Sequence, residues 1–171
     1  QKKRGITAAI STYLIWGFLP LYWNLLSAAS AAEILAHRIS WSFVFMLLVL
    51  AASKRWQAFL QDCSALRQDR RRALLLFGAS VMITLNWLTY IWAVNNGHVI
   101  DTSLGYYINP LMNVALGVVL FKERLTPSTR LSVFLAFLGV MLMTMQLGKL
   151  PWVSLVLAVT FALYGAMKKK L

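Results

Sequence analysis

The chain of 171 residues is 60% hydrophobic and only 13% charged, with a mean hydropathy of +0.67. A soluble domain carries roughly a quarter charged residues, so a water-soluble fold is excluded and a polytopic membrane protein is the class that fits. The net charge of +12 does not mark a nucleic-acid surface, because all but Arg38 and Lys149 of the 17 basic residues fall in alternate connections between apolar runs.

The spacing of those runs predicts six membrane spans, over 6–26, 33–52, 73–95, 102–121, 131–147 and 151–167. Each is close to the roughly 20 residues that cross about 30 Å of hydrocarbon at 1.5 Å per residue. The first follows a basic tail, Lys2, Lys3 and Arg4, and precedes SAASAAE, as a signal peptide would. Its apolar part exceeds the roughly 7–15 residues of a signal core, so it is expected to be retained as a span. Lys54, Arg55, Arg67 and Arg70 to Arg72 lie between the second and third spans. Lys122, Arg124 and Arg130 lie between the fourth and fifth, and Lys168 to Lys170 follow the sixth. Positive charge collects on the cytoplasmic side, which places the N-terminus there. Within 53–72, Trp56, Phe59, Leu60, Cys63 and Leu66 recur at steps of three and four, the pattern of an amphipathic helix lying at the interface. Cys63 is the single cysteine and reads as a small half-buried side chain.

TYLIWG at 12–17 returns as TFALYG at 160–165, one copy in the first span and one in the sixth. A repeat of five helices is odd, so a second copy enters the membrane from the opposite side, which gives the inverted topology of many secondary transporters. The expected fold is an all-α membrane bundle of six transmembrane helices. Residues 1–147 form one five-helix repeat, and residues 148–171 form the first helix of an inverted second repeat whose remaining helices lie beyond the chain.

Polar groups deep in such spans must meet protein, water or solute, because an unpaired amide in hydrocarbon costs several kcal/mol. On the fourth span, Gly105, Asn109, Asn113 and Gly117 are spaced by four and share a small, polar face. Pro110 lacks an N–H, frees the carbonyl of Tyr106 and permits a kink. The face serves either a substrate cavity or close helix packing with interhelical amide bonds. Asn86 and Tyr90, one turn apart on the third span, are the expected partners. The second span opens with Glu33, His37 and Arg38. A buried arginine must pair or snorkel, so this group is either a mouth for a polar or anionic solute, with Glu33 and His37 as proton-coupling candidates, or a salt bridge that fixes the helix. Trp16, Trp41, Trp87 and Trp92 lie within spans and suit the walls of a site for a flat solute, or ordinary packing. Trp23, Trp56 and Trp152 lie near span ends and read as interfacial anchors, and His98 reads as a turn residue. No metal-ligand spacing, phosphate loop or nucleophile–base grouping occurs, so neither an enzyme nor a cofactor is expected.

The stretches YLIWGFLPLYW (13–23), EILAHRISWSF (33–43), NWLTYIWAVNNGHVI (86–100), SLGYYINPLMNVALGV (103–118), ERL (123–125) and LPWVSLVLAVTFALYG (150–165) resemble the RarD family of the drug/metabolite transporter superfamily, built of EamA-type repeats. Lys122 stands where the family pattern has a small residue, and Asp101 where it has a glutamate. The resemblance implies a ten-helix permease of the bacterial inner membrane, with a central cavity between two inverted five-helix repeats and a link to chloramphenicol sensitivity. With the residues above, it makes Trp16, His37, Arg38, Trp41, Asn86, Tyr90, Tyr106, Asn109 and Asn113 the candidate substrate-binding set. The expected partners are a small organic solute, the lipid bilayer and the rest of the second repeat. A membrane scaffold without transport is the rival reading.

Overall fold

The computed structural model describes residues 2–26, 28–148 and 150–171. The side chains of Lys2, Lys3, Arg4 and Trp23, and Lys149 as a whole, lie outside the described residues, and with them the expected N-terminal basic cluster and the Trp23 anchor. The helices are α1 (Lys2–Leu25), α2 (Ala31–Ala52), α3 (Trp56–Gln68), α4 (Arg70–Asn95), α5 (Val99–Phe121), α6 (Pro127–Leu147) and α7 (Trp152–Lys169). No strand occurs among the described residues. All but α3 are long and apolar enough to cross a membrane, so the protein is a multi-pass helical bundle. The helix expected within 53–72 is α3, and it packs against α4.

Several spans begin earlier than apolarity alone suggests, because capping residues set the start. The Ser30 side chain accepts the amide of Glu33 while the Glu33 carboxylate accepts the amide of Ser30, a capping box that opens α2. Asp69 accepts the amide of Arg72 at 3.0 Å and starts α4 in the basic loop. Thr126 accepts the amide of Thr129, with Pro127 as the first helical residue of α6. Glycines in the left-handed region, Gly97 at φ +77 and Gly148 at φ +65, close the turns after α4 and α6.

Helix α7 is the centre of the bundle. Its main neighbours are α5 and α4, while α1 and α2 pack on α4 and α6 packs on α5. One buried cluster joins Ile34 and Leu35 of α2, Tyr90, Ile91 and Val94 of α4, and Val153 and Leu157 of α7. A second joins Leu104 and Ile108 of α5 to Ala158 of α7, with Val140 and Leu147 of α6 against them. Neither α1 nor α6 contributes a buried side chain among the described residues. Their outer surfaces are apolar, with Tyr13 78% and Met145 72% exposed, as expected where the solvent is lipid.

Contacts fix the helix directions. Trp16 lies beside Ile83, Asn86 and Trp87, and Leu19 and Leu26 pack on the cluster at the far end of α4, so α1 and α4 run the same way. Gly78 faces Met167 whereas Asn86 bonds Leu157, so α7 runs against α4 and therefore against α1. Basic residues of α4, α5–α6 and α7 gather at one end of the bundle, called here the basic end.

Helices α5 and α7 approach each other closely at the backbone. A Cβ on Gly105 would lie 3.3 Å from both the Cα and the carbonyl oxygen of Ser154, backbone atoms that cannot rotate away. Gly105→Val is expected to force the two helices apart and to destabilise the protein by about 1–3 kcal/mol. Thermal unfolding in a mild detergent checks this, and an unchanged midpoint would mean that the close approach is not needed.

Candidate functional site

Helices α1, α4, α5 and α7 line an open cavity of about 460 Å³ near the middle of their length. Its walls are largely aromatic. Trp16 comes from α1, Trp87 and Tyr90 from α4, Tyr106 from α5, and Phe161 and Tyr164 from α7. Tyr90 meets Trp87 edge-on, with ring centres 5.6 Å apart, and meets Tyr106 at 6.3 Å. The polar groups of the wall are Asn86, Thr102 and Asn109, with Gly105 between the last two. Helix α5 continues through Pro110, one residue beyond Asn109.

The two central amides have different partners. Asn86 donates to the carbonyl of Leu157 at 2.8 Å and to the Thr160 hydroxyl at 2.9 Å, both on α7. Its partner is therefore α7 and not the asparagine face of α5. Asn109 contributes to the cavity wall, and its side-chain oxygen is buried without a hydrogen-bond partner among the described residues. A buried acceptor is ordinarily bonded to protein or ordered water, so Asn109 differs from Asn86, whose amide is bonded to α7.

A second recess, about 610 Å³, lies between α1 and α2 on the side away from the basic end. Tyr22, Glu33, His37, Arg38, Trp41 and Ser42 are among its walls. Glu33 is engaged in the capping box, accepting both the amide and the hydroxyl of Ser30. His37 and Trp41 are exposed. Arg38 turns inward, and its guanidinium carbon lies 3.5 Å from the centre of the Trp87 ring. Trp87 thus lines the central cavity and also contacts Arg38, which lines the recess. In the sequence Trp87 is one of several interior tryptophans, with nothing to single it out. Phe161 and Tyr164 were visible only as the second copy of the six-residue repeat.

Asn113, of the expected set, and Trp92, read as either a site wall or ordinary packing, lie elsewhere. Asn113, one turn below Asn109, faces a smaller recess of about 270 Å³ near the basic end, together with Gly117, Phe121, Glu123, Gly165 and Lys169. Lys169 is ion-paired with Glu123 there. Trp92 belongs to the opposite end, where its ring stacks on His98 at 5.4 Å and lies against Trp152 at the same separation. His98 does follow the turn after α4, and its Nδ1 lies 2.7 Å from the buried carboxylate of Asp101.

A model of the EamA-like transporter family matches residues 3–145. The chain belongs to that family. It is 48% identical over 171 residues to an uncharacterized transporter of Pseudomonas aeruginosa, covering 98% of this chain and 55% of the relative. It is 44% identical to an uncharacterized transporter of Bacillus subtilis, over 99% of this chain and 57% of the relative. To the protein RarD of Escherichia coli it is 40% identical, over 100% and 56%. The RarD resemblance read from the motifs therefore holds over nearly the whole chain, which spans about half the length of these curated relatives. No solved structure matches it.

In this family member the Asn86 bonds join α4 to α7 across a chain separation of more than 70 residues. Asn86→Leu is expected to lose about 1 kcal/mol, the usual worth of an interhelical amide bond in a membrane protein. Thr160→Val is expected to lose less, because the Leu157 carbonyl still accepts from Asn86. Paired thermal-unfolding curves check the order, and a larger loss in Thr160→Val would overturn it.

Proposed function

We propose that the protein is a secondary permease that carries a small organic solute across the bacterial inner membrane, with its N-terminus in the cytoplasm. Transport would proceed by alternating access of two inverted repeats around the central cavity. In this reading residues 1–147 are the first repeat, and α7 opens the second. One observation carries it. Trp16 and Tyr164 hold the same position in the two copies of the six-residue repeat, they lie on helices that run in opposite directions, and they face the same cavity. Residues near the axis of an inverted repeat meet in that way.

The proposed solute-binding set is Trp16, Asn86, Tyr90, Tyr106 and Asn109 in the central cavity, with His37, Arg38 and Trp41 in the recess beside it. Aromatic walls with a few fixed polar groups suit a flat or amphipathic solute. Asn113 has a more distant part, near the ion pair of the basic end, and Pro110 is the proposed hinge of α5. A thermal-shift screen of the whole protein against drugs, amino acids and sugars should find a stabilising solute, which is then followed by counterflow into liposomes. Asn109→Leu and Arg38→Ala are expected to lower that flux by roughly tenfold or more while expression holds, the loss that follows when a polar site is deprived of a partner. Unchanged flux in both would remove the site assignment, and a solute that binds but never moves would favour the scaffold.

Proton coupling at Glu33 and His37 is the weaker part of the proposal, since Glu33 already caps α2. Glutamine also serves at the third position of a capping box, so Glu33→Gln separates the two roles. If the carboxylate carries protons, the variant keeps its thermal stability but its flux no longer responds to an imposed pH gradient. A response equal to that of the parent protein would leave Glu33 as a cap alone.

A further inference from the structure

Arg38 meets Trp87 from outside the central cavity. Its guanidinium carbon lies 3.5 Å from the centre of the indole. Arg38 lines the recess between α1 and α2, whereas Trp87 lines the central cavity. One ring therefore both contacts a cation and lines an aromatic-walled space. None of the described side chains that line that space carries a charge.

An aromatic cage without acidic groups would ordinarily favour cations, because each ring presents negative potential on both faces. Here one face of Trp87 is covered by a guanidinium. A cation stacked on the cavity face would lie about 7 Å from it, and at an effective dielectric of about 20 that repulsion corresponds to roughly fiftyfold in affinity. A neutral ring stacked in the same place feels no such repulsion. We propose that Arg38, acting through Trp87, is a charge selector: the central cavity takes flat, uncharged aromatic solutes and rejects flat aromatic cations. The inference rests on the reading of this cavity as the solute site. Among the described residues, the other ionisable side chains of the recess are Tyr22, His37 and Glu33, whose carboxylate is held by Ser30 at the start of α2. Arg38 does not line the cavity itself, so its role is to position charge behind the wall.

The test is calorimetric titration of the purified protein in detergent with two probes of nearly equal shape. Quinoline is neutral near neutral pH, and 1-methylquinolinium is a permanent cation. Quinoline is expected to bind at least about tenfold more tightly than the cation. Arg38→Leu should bring the two within about threefold of each other, and Arg38→Lys should keep the discrimination. Because the readout is a ratio of two ligands on one variant, partial loss of folded protein does not move it. Equal or tighter binding of the cation by the parent protein would overturn the selector, as would an unchanged ratio in Arg38→Leu. Phe161→Ala, which removes a wall without altering charge, should weaken both probes and leave their ratio alone. If neither probe binds, or if Phe161→Ala affects neither, the cavity is not the solute site and the selector falls with it. If the probes bind as expected but no solute is carried, the selector stands and the permease reading fails.

Discussion

Docking of α7 into the groove between α4 and α5 is the contact on which the remainder of the bundle depends, and it obeys the rules of lipid and not of water. An apolar side chain gains little by leaving acyl chains for protein, so helices in a bilayer associate through close packing and hydrogen bonds. The interface is built accordingly. Ser154 and Ala158 are fully buried, and Ala162 is nearly so; Gly105 lets the two backbones approach. The Ser154 hydroxyl donates to the Asp101 carbonyl, Asn86 donates twice to α7, and Lys169 reaches Glu123 at the basic end. Those bonds set the height and rotation of α7, and thereby aim Phe161 and Tyr164 at Trp16. The cavity is a consequence of how α7 is seated.

The spans were legible because lipid imposes a length and a composition that no loop satisfies. The amphipathic α3 was legible because its apolar residues recur at helical steps. Individual amides were legible too, since Asn86 and Asn109 stand out in apolar surroundings. Their partners were not. Asn86 bonds a hydroxyl and a backbone carbonyl that lie 74 and 71 residues further along the chain, and a backbone carbonyl has no signature in sequence. The tryptophans show the same limit. Trp87 and Trp92 look alike in an apolar run, but a separation of five residues turns them about 140° apart around the helix. One meets Arg38 and the cavity, and the other meets His98 and Trp152. Asn109 and Asn113 share a face, yet a further turn of α5 carries Asn113 down to the basic end.

The polar residues of the bundle differ in how they are bonded. Asn86 and Ser154 have found partners on a neighbouring helix and act as fasteners. Glu33 is spent on a helix start. Asn109 has an unmatched acceptor beside the cavity. Arg38 is an intermediate case, since it stacks on an aromatic face that belongs to the cavity on its other side. An arginine within a membrane span is expensive to keep, and stacking on Trp87 offsets some of that cost.

The same distribution of fasteners bears on which parts can move. Helices α5 and α7 are joined at one end through Asp101 and Ser154 and at the other through Glu123 and Lys169, with Gly105 seated against Ser154 between them. Separating them means losing a buried hydrogen bond, an exposed ion pair and close packing together. Helix α1 contributes no buried side chain among the described residues, yet Trp16 forms one wall of the cavity. Displacing α1 uncovers the cavity while leaving the α4–α5–α7 contacts intact. Among the described residues the cavity is therefore bounded most weakly at Trp16, while the α4–α5–α7 walls are held by hydrogen bonds and close packing.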